Sequence, residues 1–245
     1  MISKRIFSAS LFAALLFSFA SCNDSGKETK TETTSDTTSA TTMATTPAST
    51  TITTPQNMLV VMHKVANYAK WKTIYDGHDT ARLAAGIHSY VIGRGLQDSN
   101  MILVALKVDD TAKAMAFSKD AGLKQAMQKG GVIGTPNMSL VTMVFQDTAT
   151  ISTTLRSSSM FTVKDWDTWL KSFEDGKQER MDNGLVVRAY GHDAMDNHKV
   201  RVVTALTDSA KAVAYFKSDM LKKRMAAAGI EGQLNRFLYR IVQRY

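Results

Sequence analysis

The 245-residue chain has one cysteine, three prolines, and only 22 acidic residues against 30 lysines and arginines. A single cysteine cannot close an internal disulfide, and cysteine-based zinc sites need several ligands, so a disulfide scaffold and a zinc finger are both excluded. Its longest apolar run falls short of the roughly 20 residues that cross a bilayer as a helix, which excludes a multi-span membrane protein. No His-Glu-x-x-His, no paired histidines with a carboxylate at metal spacing and no c-type haem motif occur, so the sequence assigns no metal and no cofactor. A haem held by one histidine stays open. The apolar share of 44% is ordinary for a globular protein and rules out wholesale disorder.

What is present begins with an address. Lys4 and Arg5 precede an uncharged, mainly apolar run over residues 6–20, which reads as a signal peptide ending at residue 21. Phe19-Ala20-Ser21-Cys22 resembles the lipobox of bacterial lipoproteins, in which the signal is cleaved before a lipid-modified cysteine. That resemblance implies lipidation of Cys22 and a membrane partner through the lipid; Asn23, which is not the aspartate of inner-membrane retention, points to the outer membrane of a diderm envelope. Residues 28–55 contain 14 Thr and 3 Ser and almost nothing apolar to bury, so the segment 22–56 is expected to be a tether. As a flexible coil it would reach on the order of 30 Å.

From Met58 onward the chain matches itself without gaps at a shift of 98 residues. Val65 falls on Val163, Trp71 on Trp169, Arg82 on Arg180, Gly86 on Gly184, Gly93 on Gly191, Asp98 on Asp196, Gly131 on Gly229 and Gly134 on Gly232. The globular part is therefore read as two copies of one unit, over 57–147 and 155–245. Each copy reads strand, helix, strand, strand, helix, strand. Asn67 and Asp165 stand at helix N-caps ahead of aromatics at helical spacing, Gly86 and Gly184 end those helices, and Asp110 and Asp208 cap a second helix running to Lys129 and Ala228. Residues 138–145 and 237–243 supply the last strands.

That order is the ferredoxin-like βαββαβ unit, which covers one face of its sheet with helices and leaves the other bare. The expected fold class is α+β, with the two units packed sheet to sheet as an intramolecular pseudo-dimeric barrel, monomeric as a chain. Here Val65-x-Asn67-Tyr68-x-x-Trp71, Arg82-x-x-x-Gly86 and Asp110-x-Ala112-Lys113-Ala114, with their second-copy counterparts, resemble the dimeric α/β-barrel superfamily. The resemblance implies a fold that hosts cofactor-independent monooxygenases, haem enzymes, cyclase-like proteins and stress-responsive barrels, so it leaves function open.

Alternation along the strands offers a sorting of faces. Ile87, Ser89, Val91 and Gly93, with Leu185, Val187, Ala189 and Gly191, are expected under the helices. His88, Tyr90 and Arg94, with Arg188, Tyr190 and His192, fall on the barrel side, as do Arg201, Thr142, Arg236 and Arg240. Arg188, Arg201 and Arg240, with Tyr90, are the candidate contacts to a small anionic ligand, because guanidinium groups suit a carboxylate or phosphate. His63 and His88 have no histidine at the matching position of the other copy, which makes them the candidate acid/base residues of an enzyme. Gly130-Gly131-x-x-Gly134 follows a helix and precedes a strand, the reverse of a phosphate loop. The formal charge of +8 is spread over both copies without a basic stripe, so no nucleic-acid partner is expected. Three readings follow: a tethered barrel binding a small molecule, a cofactor-independent monooxygenase or cyclase-like enzyme, and an interaction module whose interior is filled by its own side chains.

Overall fold

The computed structural model describes residues 50–245. Cys22, the signal segment and most of the tether lie outside the described residues. Thr51–Ile52, at the end of the stretch read as tether, forms a short strand β1 that pairs with Gln146 and Asp147.

Two βαββαβ units follow. The first contains β2 (Gln56–Val65), α1 (Tyr68–Gly77), α2 (Asp79–Ala84), β3 (Ile87–Gly95), β4 (Met101–Val108), α3 (Thr111–Phe117), α4 (Ala121–Lys129) and β5 (Val132–Asp147). The second contains β6 (Leu155–Val163), α5 (Trp166–Asp175), α6 (Lys177–Asp182), β7 (Leu185–Asp193), β8 (Lys199–Leu206), α7 (Ser209–Lys217), α8 (Asp219–Ala227) and β9 (Ile230–Arg244). The caps are those the side chains dictate: the carboxamide of Asn67 accepts from Lys70 N, and the carboxylates of Asp110, Asp165 and Asp208 accept from the first-turn amides of their helices. The expected single second helix of each unit is instead broken in two, because Asp120 and Ser218 cap afresh on Leu123 N and Leu221 N.

The strands run in the order β1-β5-β2-β4-β3-β9-β6-β8-β7, and β7 pairs back to β5, so eight antiparallel strands close into a barrel. The units thus join edge to edge through hydrogen bonds at two seams, β3–β9 and β5–β7, as well as across the interior. This closure explains why β5 and β9 are longer than the sequence suggests. Their first halves pair with β2 and β6 of their own unit, and their second halves reach the other unit. The six glycines at positive φ among the described residues fall into three pairs related by the 98-residue shift: Gly86 and Gly184, Gly131 and Gly229, Gly134 and Gly232. A left-handed turn at these points costs a glycine little.

The helices cover the outside of the barrel. Under α1 and its neighbours lie Val65, Trp71, Ile87, Ile92 and Ile102, and under the helices of the second unit lie Val163, Trp169, Val200, Leu185 and Tyr215. A third apolar cluster is internal and takes residues from both units, among them Met58, Val60, Leu103, Met143, Tyr239 and Ile241. Burying each large aliphatic side chain of this kind is worth about 1.5–3 kcal/mol. Among the described residues no helix is long and apolar enough to cross a membrane.

Candidate functional site

The barrel is not filled. A chamber of about 300 Å³ lies inside it, lined by both units and bordered by the segment 148–151 that leads from the first unit to the second. Which side chains reach it is decided by two matched β-bulges, between Ser89 and Val91 on β3 and between Val187 and Ala189 on β7. A bulge consumes one residue and reverses alternation beyond it. Ser89 therefore lies under the helices, bonded to the Tyr75 hydroxyl at 2.7 Å, while Tyr90 and Val91 both line the chamber.

The bulges overturn the strict alternation expected along β3 and β7. Val91 and Ala189 line the chamber, and Gly93 abuts the chamber-side ring of Tyr239. Ile92 and its counterpart Tyr190 sit on the helix side, Tyr190 edge-on to Trp169 and Phe173. Arg94 lies over the Tyr68 ring, and His192 packs against Trp166. Arg236 stacks on Phe216 beneath the helices, and Thr142 bonds Asn57.

The two walls of the chamber differ in kind. At five pairs of positions related by the 98-residue shift, the first unit presents Met58, Val60, Tyr90, Leu103 and Gln146, where the second presents Arg156, Ser158, Arg188, Arg201 and the exposed Arg244. Arg188 is held by Asp147 at 2.8 Å and also donates to the Ala149 carbonyl. Arg156 is buried and donates from Nη1 only to the carbonyls of Thr153 and Leu155, both at 2.8 Å. Arg201 is 3% exposed; it donates to Ser158 Oγ at 2.9 Å, Ser139 Oγ at 3.3 Å and Met160 Sδ at 2.7 Å, and its Nε has no partner. Neither has a carboxylate within ion-pair distance among the described residues, and Asp147 is the one acid on the chamber wall. Burial pulls both guanidinium groups down to about 10, so both remain cationic at neutral pH. Tyr239 interacts electrostatically with both, its hydroxyl pushed by burial up to about 12 and therefore neutral at pH 7.

Of the residues singled out from sequence, Tyr90, Arg188 and Arg201 meet in this chamber. Arg240 does not: it is exposed on β9, with Thr154 Oγ1 at 3.4 Å. His88 lies at the surface, 2.7 Å from Asp109 Oδ2. His63 is buried on the helix side, its ring 5.4 Å from Trp71, in a hollow of about 70 Å³ shared with Tyr75, His78 and Arg82. Neither of its ring nitrogens has a partner, and burial pulls its pKa down to about 4. Sequence reasoning missed Arg156 and Tyr239. The available signal for Arg156 was its alignment on Met58, a cation standing where the twin strand carries an apolar side chain.

For haem, which the resemblance leaves open, the chamber wall offers no imidazole or thiolate among the described residues; Tyr90, Tyr239, Met58 and Met143 are the side chains there of a type that ligates haem iron, and the hollow at His63 has the room of about two waters. No group of three or more potential metal ligands occurs among the described residues.

No protein-family model matches the chain, and no curated protein matches it by sequence. Solved structures do match by shape. An anthrone oxidase-like protein superposes with a TM-score of 0.54 at 14% identity, over 78% of this chain and 92% of that one. A candidate monooxygenase from Fusobacterium nucleatum gives 0.52 at 12% identity over 77% and 93%. A heme-binding protein from Thermus thermophilus gives 0.50 at 10% identity over 79% and 93%. At such identities the likeness speaks for fold alone, and together with the closed eight-stranded topology it shows that this chain has the dimeric α/β-barrel fold with both ferredoxin-like units in one polypeptide.

Proposed function

We propose that this chain is an envelope lipoprotein, anchored through Cys22, whose barrel holds a small molecule. The observation that carries the binding role is the chamber of about 300 Å³, lined by two units that pair at both seams. Pockets of that volume accept a small organic molecule. The anchor rests on the apolar run and the lipobox-like Phe19-Ala20-Ser21-Cys22. The test is native mass spectrometry of the protein extracted from its own envelope. A mass exceeding the lipidated polypeptide by a releasable small molecule is expected; a bare lipidated mass removes the binding role, and an unlipidated Cys22 removes the anchor.

A second reading makes the protein an enzyme, with His63 as base. It is favoured by one observation: the imidazole is neutral at pH 7 and both its nitrogens are unpartnered, in a unit whose fold resembles a candidate monooxygenase. Against it stands the size of the hollow at His63, which holds no organic substrate without rearrangement. Tyr239, inside the larger chamber, is too weak an acid to serve as a base at neutral pH.

A further inference from the structure

We infer that the chamber selects a single-headed amphipathic anion, its carboxylate or phosphate against Arg201 and its apolar body against Met58, Val60 and Leu103. This inference deepens the binding role proposed above and rests on it.

The twin units supply an internal control for which residues the fold requires. Met58 and Arg156 occupy the same place in the same strand of each unit, as do Leu103 and Arg201. The barrel is therefore compatible with an apolar side chain at either position, and packing does not demand the arginines. Other chamber pairs have stayed apolar in both units: Val91 and Ala189, Ala105 and Val203, Met143 and Ile241. Divergence toward charge is thus confined to one wall.

A buried guanidinium without an anion is costly to keep. Arg201 is nine-tenths or more buried, has an unpartnered Nε and borders the open volume. Arg156 spends its recorded hydrogen bonds on two backbone carbonyls. Arg188 is already neutralised by Asp147, Arg244 is exposed to water, and Arg156 lies four residues along β6 from the Met160–Arg201 pair, so Arg201 is the buried cation left to a ligand. On the opposite wall Met58, Val60 and Leu103 supply methyl, methylene and thioether surface, which has no use for a second charged head. An anionic group on one side and a hydrocarbon body on the other satisfies both walls.

The experiment is a calorimetric titration of the full-length protein with octanoate, octyl phosphate, octanol, octylammonium and inorganic phosphate. Octanoate or octyl phosphate is expected to bind at least about tenfold more tightly than octanol, octylammonium or inorganic phosphate. Which of the two anions is preferred identifies the head group. Both variants copy the residues of the first unit: Arg201→Leu should weaken that binding by about tenfold or more, and Arg156→Met, four residues along the β6–β8 ladder, by clearly less. Thermal melts of both should lie at or above the wild type, since each removes a buried charge. Octanol binding as tightly as octanoate overturns the inference on the wild-type protein alone, with no variant needed. Equal binding of octanoate by wild type and Arg201→Leu overturns it too, and so does inorganic phosphate matching octyl phosphate. A neutral molecule retained in the native mass spectrum overturns this inference and leaves the binding role standing, whereas a bare native mass with no probe bound removes both.

Discussion

Arg188 and Asp147 form an ion pair at 2.8 Å across the β5–β7 seam, with side chains only 11% and 21% exposed. The same guanidinium donates to the Ala149 carbonyl, so one side chain holds both the end of the first unit and the start of the segment leading to the second. That segment, residues 148–151, borders the chamber. Replacing Arg188 by methionine leaves the Asp147 carboxylate unpaired in a largely buried place. The expected cost is about 2–4 kcal/mol of stability, with faster amide exchange concentrated in residues 148–151 and the adjoining end of β5. Hydrogen–deuterium exchange read by mass spectrometry checks this. Uniform protection equal to the wild type would show that the pair does not hold the segment.

Much of the fold was legible because its signals are local. Asn67, Asp110, Asp165 and Asp208 cap helices through their own side chains, and the paired glycines turn the chain at the same three places in each unit. The site was less legible because its geometry is set between strands. Alternation on β3 and β7 holds up to Ser89 and Val187 and fails beyond the bulges, whose position depends on pairing with β4 and β8. This is why Tyr190 and His192 face the helices although simple alternation sends them inward. Arg156 gave no parity signal of its own because Ser157, Ser158 and Ser159 make that strand polar on both faces. Alternation also places Arg240 inward, whereas Tyr239, Ile241 and Arg244 are the β9 residues that line the chamber.

His63 makes stability depend on pH with a sign that can be worked out. Burial lowers its pKa from 6.5 unfolded to about 4 folded, so the unfolded chain takes up a proton before the folded one does. The stability associated with the neutral imidazole is complete above pH 6.5 and is lost as pH falls from there through about 4. Between pH 7 and pH 4.5 the loss is about 2–3 kcal/mol from this group. Phe161 occupies the equivalent position in the second unit, 5.7 Å from Trp169, so His63→Phe has a precedent in the same fold. Urea unfolding at the two pH values should show the variant losing about 2–3 kcal/mol less than the wild type over that range. Identical losses in the two proteins would mean that His63 is protonated in the folded state or reached by water.

The seams set the last constraint. Gly191 pairs with Met143 where β7 meets β5, and a Cβ there would run into the backbone of Thr142 and Met143. Backbone in a hydrogen-bonded ladder cannot move aside as a flexible side chain does, so Gly191→Ala should open the seam. Gly93, the matching residue at the other seam, would meet the ring of Tyr239 and not backbone, and that ring borders the chamber, into which it is expected to shift. The two substitutions are therefore expected to differ although they are equivalent in sequence. Gly191→Ala should cost about 3 kcal/mol or more, and Gly93→Ala nearer 1. Gly77→Ala, with nothing within 4 Å of the added carbon, serves as the neutral control. Chemical denaturation of the three variants reads the order directly. Equal costs at Gly93 and Gly191 would mean that both seams yield alike, and that the chamber offers Tyr239 no room to retreat.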